Sequence, residues 1–257
     1  MLACEWHAAI CVPLREANRH RNRGKSCTTL STSSAENHRR HPHLSAMDLF
    51  DTPLAPLQVL DDAEGGVRYW PQLLPPAVAQ AAFAALRDGA DWQRHQRTMY
   101  DRVVDVPRLL ASYRLDAPLP PGLPLQALLA AVQAQLPAPY NAVGLNLYRD
   151  GRDSVAMHHD KLHTLLAPHP IALLSLGTPW RMQLRAKQGA TRAITLELAP
   201  GSLLAMSHAS QLTHEHGIPK TTRALGERIS VVFRVRPPAR MAAGQHGPHW
   251  EAPTQTD

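Results

Sequence analysis

The chain has 257 residues, 27 Lys+Arg against 21 Asp+Glu, three cysteines and 23 prolines that fall in no repeat. Its length and 44% hydrophobic content are ample for a buried core and exclude a fibrous or wholly disordered chain. The net charge of +6 divides unevenly, +4 in residues 1–46 and +2 in all the rest, so the total does not by itself mark the body as a nucleic-acid binder.

Residues 1–46 are rich in Arg, His, Ser and Thr, without helical or alternating periodicity, and read as a disordered tail. Glu5 and Glu16 argue against a transit peptide, and Met47 reads as the natural start with 1–46 as an upstream extension. No apolar segment with a small-residue cleavage site opens the chain, so a cytoplasmic location is expected. Cys4, Cys11 and Cys27 all lie in this tail at spacings that match no zinc pattern. The body, 47–239, therefore has no disulfide, thiolate site or catalytic cysteine.

Within the body, Pro75–Arg87 carries proline in its first turn and Val78, Ala82 and Leu86 at helical spacing, which predicts a helix. Leu123–Leu136 predicts a second that stops before Pro137. It sits inside a charge-free stretch, Ala117–Tyr148, whose six prolines exclude a membrane span. From Tyr140 onward, short Val/Leu/Ile/Thr runs alternate with Gly/Pro/Asp turns: Ala142–Tyr148, Ile171–Leu176, Trp180–Arg185, Thr191–Leu198, Ser202–Met206 and Arg228–Val235. Strands at this spacing predict an α+β chain, mainly β, built as a sandwich or barrel with the helices buttressing one face. Residues 240–257 read as a flexible C-terminus. The lack of a heptad repeat makes a monomer the default.

Seven histidines crowd between His158 and His216. On an extended segment His158 and Asp160 point to one side and His159 to the other. His214 and His216 likewise share a face, and two such histidines equally fit a solvated strand edge. Along Arg228–Arg234, the side chains of Arg228, Ser230, Val232 and Arg234 share one face while Ile229, Val231 and Phe233 take the other. Two guanidiniums on an inward face need anions, which a dicarboxylate would supply; on a solvated face they need none. Asn146 and Tyr148 pair on one strand face as hydrogen-bonding groups. The order Asn-x-Tyr, His-x-Asp, a distant His, then Arg…Arg suits a two-His, one-carboxylate iron centre with open positions, and its two arginines suit the dianion 2-oxoglutarate.

In these motifs the chain resembles the AlkB family of Fe(II)/2-oxoglutarate-dependent dioxygenases. The resemblance rests on Asn146-Leu147-Tyr148-Arg149-Asp150-Gly151, His158-His159-Asp160, Ser175-Leu176-Gly177, His216-Gly217-Ile218-Pro219-Lys220 and Arg228…Arg234, and runs from about Tyr69 to Pro237. It implies a double-stranded β-helix (jelly roll) over about 140–237, with a nucleotide-recognition lid at about 92–114. It implies Fe(II) on His158, Asp160 and His216. His216 is chosen over His214 because Gly-Ile-Pro-Lys follows it. It also implies 2-oxoglutarate held by Tyr148 and Arg228 at the distal carboxylate, with Asn146 and Arg234 towards its chelating end and Ser230 among the cofactor contacts. O2 would complete the set, and the protein supplies no catalytic group beyond the iron centre.

The resemblance implies oxidative demethylation of alkylated bases in DNA, or in RNA, releasing formaldehyde, succinate and CO2. Alternatives are a relative acting on RNA, protein or a small molecule, and a non-catalytic jelly-roll module that binds nucleic acid. Five arginines and two aspartates between Trp92 and Arg114 interleave with Trp92, Tyr100 and Tyr113, a composition that suits phosphates and a stacked base. The substrate-contact candidates are Trp92, Tyr100, Arg102, Arg108, Tyr113 and Lys161. Leu162 stands where many DNA-repair relatives have an acidic residue, which puts base discrimination at that point in doubt. Ser230 and Met182 stand where Asn and Phe are usual.

Overall fold

Side-chain alternation along the strands sorts this chain into three layers. The computed structural model describes residues 55–99, 102–189 and 192–238, all within one unit, Leu49–Asp257. The expected tail 1–46, the start at Met47, Tyr100 and the C-terminus from 240 lie outside the described residues.

The chain opens with β1 (Leu57–Leu60), β2 (Val67–Trp70) and helix α1 (Pro76–Gly89). Strands β3 (Gln96–Met99), β4 (Arg102–Asp105) and β5 (Leu109–Arg114) precede helix α2 (Leu125–Gln135). Then come β6 (Ala142–Tyr148), β7 (Val155–His158), β8 (Ile171–Gly177) and β9 (Trp180–Ala186). The last are β10 (Ile194–Leu198), β11 (Ser202–Met206), β12 (His214–Ile218) and β13 (Arg228–Arg234). The major sheet runs β1-β2-β11-β8-β13-β6-β5 and the minor sheet β10-β9-β12-β7, with every strand pair antiparallel.

One face of the major sheet packs on the helices. Val143, Leu145 and Leu147 of β6 and Ile229, Val231 and Phe233 of β13 join Phe83, Leu86, Leu128 and Val132 in one buried cluster. Each fully buried Leu or Phe contributes about 1.5–3 kcal/mol. Neither helix has a side-chain N-cap; each follows a proline, and tertiary packing holds it. The alternate residues form a second cluster between the sheets, where Tyr148, Leu173 and Val232 meet Trp180, Met182 and Ile218. Two antiparallel sheets closed over a shared core make the expected jelly roll.

The helices and the strands at 142–148, 171–177, 180–186, 202–206 and 228–234 fall within two residues of expectation. The jelly roll reaches further towards the N-terminus than expected, because β1, β2 and β5 all join the major sheet. The segment expected as a lid accordingly divides. β3 and β4 form a two-stranded sheet of their own, while β5 is an edge strand of the major sheet. At the end of β8, Gly177 has φ of +88°, and a Cβ there would lie 2.5 Å from the Glu227 carbonyl oxygen and 2.7 Å from the Phe83 ring. Only glycine fits that turn.

Candidate active site

The register of β13 against its neighbours turns a sequence pattern into a polar wall. Arg228 sits opposite Tyr148, and Ser230 lies between Asn146 on β6 and Ser175 on β8. Ser230 Oγ accepts from Asn146 Nδ2 at 3.2 Å, and Asn146 Oδ1 accepts from Arg108 Nε at 2.8 Å. Arg228 is wholly buried. Its Nε donates to Ser175 Oγ at 2.9 Å, its guanidinium carbon lies 5.1 Å from the centre of the Tyr148 ring, and among the described residues neither Nη atom has a hydrogen-bond partner. Burial pushes its pKa below the ordinary arginine value. An isolated guanidinium so placed costs several kcal/mol, and an anion with two acceptor oxygens offsets that cost.

The minor sheet supplies a second group of donors. Antiparallel pairing places His158 on β7 directly opposite His216 on β12, with ring centres 4.4 Å apart. Asp160 follows two residues after His158, so alternation returns it to the same side. One ligand atom from each of His158, Asp160 and His216 lies within 4.8 Å of the others. His158 Nδ1 is 2.9 Å from the Ala156 carbonyl, which can only accept. That bond puts the proton on Nδ1 and leaves Nε2 as the lone-pair donor. The Asp160 amide donates to Gln211 Oε1 at 3.0 Å, and its Oδ2 accepts from Arg234 Nε.

Burial would raise the Asp160 carboxyl, but the charge and hydrogen bond of Arg234, with the two histidines, hold it well below the usual carboxylate range. Burial pushes His216 down to about 3, helped by His158, and lowers His158 too. Both polar groups open onto one cavity of about 410 Å³, a size ordinary for small-ligand sites.

A family model described as the 2OG-Fe(II) oxygenase superfamily matches residues 66–234. The chain belongs to that superfamily. Its relatives set it in the AlkB family. It is 31% identical over 102 residues to the DNA oxidative demethylase ALKBH2 of Bos taurus, covering 37% of each chain. It is 29% identical over 172 residues to the alpha-ketoglutarate-dependent dioxygenase alkB homolog 3 of Rattus norvegicus, covering 60% of this chain and 58% of that one. The chain thus spans between about two fifths and three fifths of the length of these curated relatives. The solved structure of OsALKBH1 superposes with a TM-score of 0.51 at 14% identity, covering 70% of this chain and 99% of the other.

The cofactors of this superfamily are Fe(II), 2-oxoglutarate and O2, and the residues of this AlkB-family chain fit them. Two imidazoles and a carboxylate leave three positions open on a six-coordinate ion. The unpartnered Nη atoms of Arg228 are the donors a distal carboxylate requires. Proton competition for the metal should be weakened, because His216, pushed down to about 3, stays neutral across this range and the His158 pKa is also lowered. We therefore expect Fe(II) affinity, titrated anaerobically, to fall by less than about tenfold between pH 7.5 and pH 5.5. Two histidines of ordinary pKa would lose about 100-fold over that interval.

Of the substrate-contact candidates, Arg108, Tyr113 and Lys161 line the cavity. Arg108 also positions Asn146 and donates to the Ser154 carbonyl at 3.2 Å. Trp92 does not reach the cavity wall. Its indole N–H donates to the Arg87 carbonyl at 3.0 Å, and its ring packs on the helical layer. Arg102 lies exposed on β4, away from the cavity. His159 and His163 are exposed, and His214, whose Nδ1 lies 2.9 Å from Thr213 Oγ1, stands outside the cavity lining. Sequence reasoning left Ser175 and Gln211 unassigned. Ser175 was reachable by alternation on β8; Gln211, on a short loop helix, carried no signal.

Proposed function

We propose that this chain catalyses Fe(II)/2-oxoglutarate-dependent oxidative demethylation of alkylated bases in nucleic acid, with DNA the favoured substrate. The observation that carries the reading is the pairing, across one cavity, of the His158/Asp160/His216 donor set with a buried Arg228 whose Nη atoms lack partners. When bound, iron, 2-oxoglutarate and O2 supply the oxidising power to hydroxylate an N-methyl carbon, with succinate and CO2 as co-products; the hydroxymethyl amine then loses formaldehyde.

The protein's part is binding and orientation. Arg228, held by Ser175 and stacked near Tyr148, receives the distal carboxylate of 2-oxoglutarate. Asn146 and Ser230, tied to each other and to Arg108, fix the polar wall beside it. Arg234, now on Asp160, steadies the carboxylate ligand next to the chelating end. The flanking apolar side chains Leu173, Met182 and Ile218 keep bulk water from the reacting carbon.

The name of the ALKBH2 relative supports a nucleic-acid substrate, as do the basic groups Arg108 and Lys161 on the cavity wall. The test is formaldehyde release from 1-methyladenine and 3-methylcytosine in single- and double-stranded DNA and RNA, with succinate counted in parallel. Release matched by succinate from at least the DNA substrates is expected. Release from none of them, by protein that binds 2-oxoglutarate, would move the chain to a protein or small-molecule substrate.

A further inference from the structure

The cavity mouth contains a carboxylate that the sequence motif does not advertise. Gln93 bridges the free edge of β5: its N donates to the Leu110 carbonyl at 2.8 Å, and Leu110 N returns a bond to the Gln93 carbonyl at 3.0 Å. Alternation then splits the segment. Trp92 turns to the helical layer and Arg94 to solvent, while Asp91, Gln93 and His95 all line the cavity. Leu162, the position lacking an acidic group, does not line it, although its neighbour Lys161 does.

The row is held in place by its own hydrogen bonds. Gln93 Nε2 donates to Asp91 Oδ1 at 2.7 Å, and the Asp91 amide donates to the Tyr113 hydroxyl at 3.0 Å. With one Nε2 hydrogen on Asp91, Gln93 has its carbonyl Oε1 to offer as an acceptor. Asp91 presents Oδ2. Two acceptors, one of them anionic, therefore stand side by side on the cavity wall. Their complement is a cationic ring that carries an exocyclic amino group with two N–H donors. A base with a carbonyl at that position brings acceptor against acceptor.

We infer that Asp91 and Gln93 are the specificity-determining pair of this site, reading the exocyclic amino group of a methylated base in place of a carboxylate at 162. The inference rests on the reading under Proposed function and deepens it. A matched pair of bases isolates it: 3-methylcytosine and 3-methylthymine carry the methyl on the same ring nitrogen, but one offers an amino group and a positive charge where the other offers a neutral carbonyl.

The experiment compares kcat/KM for the two bases in one single-stranded DNA oligonucleotide, for wild type, Asp91→Asn, Asp91→Glu and Gln93→Glu. Wild type should favour 3-methylcytosine. Asp91→Asn should lower that preference by on the order of 10- to 100-fold, the worth of a hydrogen bond to a charged group. Asp91→Glu should keep it, whereas Gln93→Glu, which removes the Nε2 donor and sets a second carboxylate against Asp91, should lower it. All four proteins should bind 2-oxoglutarate alike and melt alike. If wild type releases no formaldehyde from either base, the functional reading fails first. If wild type is active and Asp91→Asn leaves the ratio unchanged, or slows both bases equally, Asp91 does not read the base and the inference falls.

Discussion

Replacing Arg228 with methionine is expected to stabilise the ligand-free protein while removing its capacity to bind 2-oxoglutarate. The side chain is wholly buried beside the Tyr148 ring and bonded through Nε to Ser175, with its two Nη atoms unpartnered among the described residues and its pKa lowered by burial. Methionine has similar length, fills the space and needs no desolvation. Buried charges exchanged for apolar residues of similar volume gain about 1–4 kcal/mol in comparable cases. Function moves the other way. Two charge-assisted hydrogen bonds to a carboxylate are worth at least about 100-fold in affinity. Urea denaturation of the metal-free protein gives the first quantity, and calorimetric titration of 2-oxoglutarate into Mn(II)-loaded protein gives the second. A variant that binds 2-oxoglutarate normally would remove Arg228 from the cofactor site. One destabilised by several kcal/mol would make it a structural residue.

Asp160→Asn should act in the opposite sense on stability and in the same sense on function. The Asp160 carboxylate is buried and accepts from Arg234 Nε, whose side chain is only 18% exposed. An amide cannot balance that charge, so the metal-free fold should lose about 2–4 kcal/mol. Asparagine is also a poor ligand for a hard divalent ion, and succinate formation should fall on the order of 1000-fold or more. Metal content after dialysis separates the two effects: the variant should hold little iron even at temperatures where it is fully folded. Wild-type iron content with wild-type turnover would exclude Asp160 from the metal centre.

These contrasting variants mark what alternation made legible. Along β13 the division into Arg228 to Arg234 on one face and Ile229 to Phe233 on the other was readable because one face is apolar without exception; which way the arginine face points was not, and the pairing with β6 and β8 is what turns it to the cavity. The strands β7 and β12 were harder to see. They are short, and their inward positions carry His158 and His216 instead of apolar groups, so they lack the periodicity that announces a strand. Their pairing is what brings the two histidines together, and motif order predicted it where hydrophobic pattern did not. The segment before β5 shows the reverse. Its residue types suggested a binding surface, yet only the backbone bridge to Leu110 decides which residues face the cavity. Trp92, chosen for its chemistry, falls on the core side, and Asp91 and Gln93, ordinary in sequence, fall on the cavity side. Ser175 and Gln211 are ordinary for the same reason, since their roles come from tertiary partners far along the chain.

Prediction and site meet in a single optical measurement. Fe(II)-loaded protein, titrated anaerobically with 2-oxoglutarate, should develop a visible metal-to-ligand charge-transfer band that saturates at one equivalent per chain. His158→Ala should not develop it. Absence of the band in the wild type, or a band of full intensity in His158→Ala, would contradict the assignment of this cavity as the iron and 2-oxoglutarate site.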